Sequence, residues 1–428
     1  MQKLRQRSLV QLATWSAAAL AGTIAVLYAR LIALTQGRYF ALFEKHPWAI
    51  SAVTPLLFVA AAFFVDHFAP EASGSGIPQV LRAIDLSKED HDGAIWRHRL
   101  VALKTAVIKV ISSWVGTLGG ASIGREGPTV QIAASTFAWV GSVTRKLSKK
   151  DGSESAIEFH SFLMAGAAAG VAAAFNTPLA GITFALEEIG EGSFGRFRET
   201  VMLAVIIAGV TAMALSGDYL YFGHPTGLSF SPMLLPETIV IALAGGLLGG
   251  VFAKLLAFPT LTRLPSKGWR RALVCGVICA AIGFTTAGRT AGSGYEVTRS
   301  FLESAPLTDW PVLFSFEKVI TTVLSYASGM AGGIFSPSLS IGAGLGLAAA
   351  KLAHLANYKE CALIGMVAFF SGVVQAPLTA VVIVTEMTDE HLLIMPFMVA
   401  AFIALGVGKW LMPVPLYRHL SLGDHAEK

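Results

Sequence analysis

The sequence predicts an all-α integral membrane protein, an inverted-topology internal repeat with many tilted and interrupted helices. Three observations carry this prediction. The 428 residues are 54% hydrophobic and only 14% charged, against roughly 25% charged in an average soluble domain. Largely apolar stretches recur along the chain, and while several reach the ~20 residues needed to cross a ~30 Å hydrocarbon core, others stop well short. Finally, two stretches of the first half recur in the second with their helix-breaking residues in register.

Taken in order, the chain starts MQKLRQR and enters the apolar run Leu9–Leu34, which is too long for a secretion signal and lacks a clear small-residue cleavage site, so it is retained. Trp48–Val65, Val201–Met213, Ile239–Phe258, Ala272–Phe284 and Leu392–Leu411 are further apolar runs. Short runs ended by Gly and Pro read as helices that begin or stop partway across, which is tolerated only where they line a cavity or are buried in protein. The net charge of +5 comes from local clusters, Lys3/Arg5/Arg7, Arg145/Lys146/Lys149/Lys150, Arg263/Lys267/Arg270/Arg271 and Arg418. Such loop clusters mark the cytoplasmic side rather than a nucleic-acid-binding face, and both termini are expected there. Three cysteines provide no disulfide framework, and Cys275 and Cys279 read as small packing residues. No His/Cys group has zinc spacing, so neither metal nor cofactor is expected.

The repeat pairs FNTPLAGITFALE (175–187) with VQAPLTAVVIVTE (374–386), setting Pro178 against Pro377, Leu179 against Leu378 and Glu187 against Glu386. It also pairs GGASIGREGPTVQI (119–132) with SGMAGGIFSPSLSI (328–341), setting Pro128 against Pro337. The expected division is residues 1–215 and 216–428, with the substrate held where the halves meet. With the 145–150 cluster cytoplasmic, His160–Phe175 climbs outward, the chain turns at Asn176–Pro178, and Leu179–Glu188 descends, leaving Glu188 near the cytoplasmic face. Pro128–Val143 then forms a helix whose N-terminus, and so Glu126, lies toward the other side.

Four sites share a Gly-rich or Pro-containing break followed by a helix: GSGIP (74–78), GREGP (124–128), GGIFSP (332–337) and PLYRHL (415–420). Proline in the first turn costs little, because the N–H it lacks would have had no partner there. The preceding glycines let free N–H groups point outward at the positive end of the helix dipole, which attracts an anion without a cationic side chain. Such a hold is firm enough to strip water from an ion yet weak enough to release it.

GSGIP, GREGP, PLAG and GIFSP in this order, with the terminal Pro-Leu-Tyr, resemble the CLC chloride channels and chloride/proton exchangers over roughly residues 10–420. The resemblance implies an inverted-repeat helical fold, a homodimer with one pore per subunit, and a central chloride site in each. It implies that the hydroxyls of Ser75 and Tyr417 and the backbone amides of Ile334 and Phe335 bind chloride. Taken singly, Ser75 reads as a helix N-cap and Tyr417 as an interfacial anchor; within GSGIP and after Pro415-Leu416 the chloride-binding reading prevails. Glu126 would be gate and extracellular-side proton carrier: its carboxylate occupies the anion-attracting nest as chloride would, and once protonated it swings away. An Arg125–Glu126 ion pair is the structural alternative, but intramembrane acids are functional by default. Glu188 resembles the internal proton-transfer glutamate of the exchanger branch, where channel members usually carry an uncharged side chain; otherwise it is a solvated acid at a helix end.

The resemblance thus implies a secondary-active chloride/proton antiporter in the bacterial inner membrane, with chloride and protons as substrates; the alternative is a passive, voltage- or pH-gated chloride channel with the same pore. After GSGIP many relatives carry an acid where this chain has Gln79, and with few residues after Tyr417 no cytoplasmic regulatory domain is expected. A third reading, an intramembrane hydrolase on Ser122 of GASIG (120–124), lacks the preceding strand and the supporting His that such an elbow needs. Gly245 and Gly249 read as tight helix packing. Lys109, on an otherwise apolar helix before Glu126, is expected to tune the local field or pair with an acid.

Overall fold

Among the described residues of the computed structural model, 2–89, 98–150, 158–189, 194–217, 220–258, 268–303 and 311–422, every regular element is helical. Arg263 and Lys267, and the side chains of Lys3, Arg5, Arg7, Lys149 and Lys150, lie outside this description. The helices are α1 (Gln2–Lys45), α2 (Pro47–Phe68), α3 (Ile77–Glu89), α4 (Leu103–Leu118), α5 (Glu126–Lys150), α6 (Phe159–Phe175), α7 (Pro178–Phe184), α8 (Phe194–Ser216) and α9 (Leu234–Ala257). They continue with α10 (Gly268–Thr285), α11 (Tyr295–Glu303), α12 (Pro311–Ala327), α13 (Phe335–Leu352), α14 (Tyr358–Val374), α15 (Pro377–Thr388), α16 (Ile394–Leu411) and α17 (Leu416–Leu422). Among the described residues, six helical spans are long and apolar enough to cross a bilayer. The remainder are shorter or more polar, and several begin at the Gly and Pro breaks noted above.

Two helices form the buried centre. Every residue of α6 except His160, and every residue of α14 after Lys359, is buried. A helix that is apolar or small on all faces has no solvent side, so neighbours must surround it. Small residues let them approach: a Cβ added to Gly166 of α6 would stand 3.0 Å from Ala134 Cα of α5, and one on Gly342 of α13 would stand 2.8 Å from Met366 Cα of α14. Gly245 and Gly249 of α9 press likewise on Ala368 and Phe369 of α14, within the same chain.

Both α6 and α14 end on a residue in the left-handed region, Asn176 (φ 59°) and Gln375 (φ 65°), and each is followed by a helix with proline in its first turn. The free amides of those two helices are met crosswise. Glu187 accepts from Leu378 N at 2.9 Å and Thr379 N at 2.7 Å, at the head of α15. Glu386 in turn accepts from Leu179 N at 3.1 Å and Ala180 N at 2.8 Å, at the head of α7. Each carboxylate thus caps the head of the helix that runs to the other, where dipole and unpaired N–H groups favour negative charge.

Candidate functional site

Three of the four breaks are tied together by their backbones. Gly124 and Gly333 exchange two hydrogen bonds of 2.8 Å, while Gly74 donates to Met330 O and accepts from Gly332 N, both at 3.0 Å. The segment 330–333 therefore lies between GSGIP and GREGP and holds both. The heads of α3, α5 and α13 are brought together as a result: a Cβ on Gly333 would meet Gly127 N at 3.0 Å and Pro128 Cδ at 3.1 Å, and Gly127 lies against Ser75. The fourth element arrives through α17, pinned to α3 by the Arg418–Asp85 ion pair. Tyr417 then stacks on Phe335 with ring centroids 5.9 Å apart.

Gly76 requires glycine on two counts. Its φ of +95° is open to few other residues, and a side chain would collide with Gln131 Cβ at 2.8 Å and Lys109 Nζ at 2.9 Å. Lys109 explains itself here, and the expectation of an acid partner is corrected: its ammonium donates to the carbonyls of Gly74 at 3.0 Å and Ser73 at 3.5 Å. Gln79, where an acid is common in the resembling family, donates through Nε2 to Ser73 O at 2.8 Å. A carboxylate has no hydrogen to give there.

The polar groups at the convergence are fully buried and unevenly satisfied. Ser75 Oγ and Tyr417 OH are close enough to interact, yet among the described residues neither has a hydrogen bond of ordinary geometry. Glu126 is 1% exposed. Its Oε1 accepts from Tyr221 OH at 3.1 Å, and its Oε2 has no partner among the described residues. Rings wall off the rest, with Phe370 at 4.7 Å, Phe175 at 5.7 Å and Phe184 at 5.9 Å from Phe335. Ile334 caps α13, so the first-turn amides of Ile334 and Phe335 stand at its positive end. Glu188 lies in a single π turn, Ala185–Ile189, that extends α7, and both Glu188 and Glu126 act electrostatically on Tyr417. Of the six residues singled out in the sequence, Ser75, Glu126, Glu188 and Phe335 thus bear on a fifth, Tyr417, and Ile334 precedes Phe335 at the head of α13.

A family model described as "Voltage gated chloride channel" matches residues 56–409. The chain belongs to this family. Among its relatives, the H(+)/Cl(-) exchange transporter ClcA of Yersinia pestis bv. Antiqua (strain Angola) is 32% identical over 410 residues, covering 91% of this chain and 80% of the relative. The ClcA of Yersinia pseudotuberculosis serotype IB (strain PB1/+) is 33% identical over 393 residues, covering 85% and 77%. The fold is similar to the crystal structure of a slow cyanobacterial Cl−/H+ antiporter, with TM-score 0.82 at 22% identity over 97% of this chain and 98% of that one. It is also similar to that of a CLC-type fluoride/proton antiporter, with TM-score 0.78 at 22% identity over 95% and 96%.

Ser122 Oγ lies 2.7 Å from Thr322 Oγ1, and its amide is met by Ser325 Oγ at 2.9 Å, so its neighbours are hydroxyls rather than the base a hydrolase requires. Cys275 and Cys279 are buried free thiols in a small apolar cluster. Two residues at or near the site escaped the sequence reading. Tyr221 lies in an irregular segment with no periodicity and meets Glu126 across 95 positions. Ser293, in contrast, had a signal, since Gly292-Ser293-Gly294 before a helix repeats the pattern of Gly74-Ser75-Gly76.

Proposed function

We propose that the protein is a secondary-active chloride/proton antiporter of the inner membrane. Chloride is held by Ser75 Oγ, Tyr417 OH and the amides of Ile334 and Phe335; Glu126 is gate and extracellular-side proton carrier, and Glu188 passes protons from the cytoplasmic side. One observation carries the reading: two buried hydroxyls, Ser75 and Tyr417, face each other without a hydrogen bond of ordinary geometry among the described residues, and a buried carboxylate, Glu126, has one oxygen without a partner there. Leaving a buried donor unmade costs about 1–3 kcal/mol, a cost removed when an anion accepts from both hydroxyls. The surrounding helix N-termini favour negative charge.

Ionised Glu126 and chloride compete for the same positive helix ends. Protonation removes that competition, so proton uptake and anion passage alternate on one carboxyl group. Glu188 supports exchange over passive conduction, since a second titratable group near Tyr417 besides Glu126 gives protons a second station. The exchange-transporter names of the Yersinia relatives point the same way. The division into halves at 215/216 and a homodimer with one path per subunit belong to the same proposal.

The deciding experiment uses purified protein in liposomes with a chloride gradient and no initial proton gradient. Antiport predicts proton movement against its own gradient, reversed when the chloride gradient is reversed. Chloride flux without proton movement identifies a channel and rejects the exchange reading.

A further inference from the structure

Tyr221 belongs to none of the sequence motifs, yet its hydroxyl touches the candidate gate. It donates to Glu126 Oε1 at 3.1 Å and stands 3.2 Å from Ser336 Oγ, both contacts buried. The ring is held on several sides: the Arg125 guanidinium lies 5.3 Å from its centroid, with Phe222 at 4.9 Å, Tyr295 at 5.2 Å and Phe175 at 6.0 Å. A bond of 3.1 Å from Phe222 N to Met387 O anchors the segment. A cavity of about 360 Å3 opens beside the ring, and Tyr221 and Arg125 line it while Glu126 does not.

The hydroxyl has one hydrogen and two lone pairs. An ionised carboxylate can only accept, so Glu126 takes the phenol hydrogen and the Ser336 hydroxyl can donate to the phenol oxygen. A protonated carboxyl carries its own hydrogen. The phenol can then turn toward Ser336 Oγ, and neither arrangement leaves the phenol unpaired.

We propose that Tyr221 is a positioning residue for Glu126, a hydroxyl latch that holds the ionised carboxylate in the path and passes its hydrogen to Ser336 when the carboxyl is protonated. It thereby sets the pH at which chloride flux rises. The proposal rests on Glu126 being the gate. Other titratable or charged groups facing the pair are Arg125 at the head of α5, Tyr28 of α1, Tyr417 of α17, and, around the cavity, Arg30 of α1 with Tyr295 and Glu296 of α11. All of them remain when Tyr221 becomes Phe, so that variant isolates the hydroxyl.

The test measures chloride efflux from proteoliposomes as a function of pH. In Tyr221→Phe the carboxylate loses a donor, and the midpoint should rise by about one pH unit, the equivalent of a hydrogen bond to a charged group, with the proton-to-chloride ratio retained. Replacing Tyr221 by 3-fluorotyrosine makes the phenol a stronger donor at nearly unchanged shape, and the midpoint should fall. Tyr221→Phe added to Glu126→Gln should change nothing further. Midpoints that stay put, or that move the same way in both variants, overturn the latch even if Glu126→Gln abolishes pH dependence. Persistence of pH-dependent, proton-coupled flux in Glu126→Gln instead overturns the gate assignment on which the latch rests. Should Tyr221→Phe fail to fold, the fluorotyrosine protein decides alone.

Discussion

Lys109 and Lys318 are 209 residues apart, the offset that also relates Pro128 to Pro337, and both are fully buried with their ammonium groups on loop carbonyls. Lys109 holds Ser73 and Gly74; Lys318 holds Thr290 O at 2.8 Å and Gly292 O at 2.7 Å. Each loop is Gly-Ser-Gly with positive φ at both glycines, +60° and +95° in the first, +63° and +82° in the second, and each opens a helix. The loops differ in the serine between the glycines. Ser293 accepts from Tyr295 N at 3.3 Å and so serves its own helix, whereas Ser75 Oγ makes no hydrogen bond of ordinary geometry among the described residues. The same contrast appears at the next break, where the position matching Glu126 is occupied by Phe335. One scaffold is used twice, and the candidate site lies where one copy leaves polar groups unsatisfied.

The sharpest way to break this comparison is to remove its acids. Glu126→Gln should abolish proton flux and most pH dependence while chloride flux persists. Glu188→Gln should abolish coupled proton flux but keep part of the pH dependence, and the double variant should resemble Glu126→Gln alone. Full coupling in Glu188→Gln, measured by the liposome assay, would show that protons take another route.

The two lysines should separate scaffold from site with a smaller effect. Lys318→Met strips donors from a loop with no proposed ion contact, and should cost about 1–3 kcal/mol of stability with little change in flux. Lys109→Met leaves carbonyls that retain Gly332 N and Gln79 Nε2, so it should cost less stability. It lets Ser75 shift, however, and should slow chloride flux roughly tenfold, the equivalent of a ~1.4 kcal/mol rise in the barrier. Equal flux losses in the two variants would mean that the second loop also borders the path. Smallest of all, Glu187→Gln and Glu386→Gln should each lower stability by about 1 kcal/mol through weakened capping and leave the proton-to-chloride ratio intact; a changed ratio in Glu386→Gln would assign transport to the wrong acid.

Much of this arrangement was legible because Gly and Pro punctuate helices locally. Helices begin at Glu126, Pro178, Phe335 and Pro377, as the breaks before them require. The apolar runs likewise became helices, since composition alone fixes the solvent a segment tolerates. What could not be read depends on distant chain. Lys109 gave no hint that its partners were carbonyls 35 and 36 residues earlier, because a buried ammonium accepts any oxygen in reach. Tyr221 contacts Glu126 only after α6, α7 and α8 have folded between them. The repeat set Glu187, not its neighbour Glu188, against Glu386, but gave no sign that these two acids cap helices crosswise, because that pairing spans the two copies.

The crosswise glutamates also bear on how such a chain could have arisen. Each acid caps the head of a helix in the other copy of the repeat rather than in its own, so neither Glu187 nor Glu386 completes its own copy. A single-repeat ancestor would therefore have needed a second copy, inserted in the opposite orientation, to exchange carboxylates with it. Within one chain each copy instead finds the carboxylate it lacks in the other. The matched positions Glu126 and Phe335 can then differ, where two identical copies would have to carry the same residue at both.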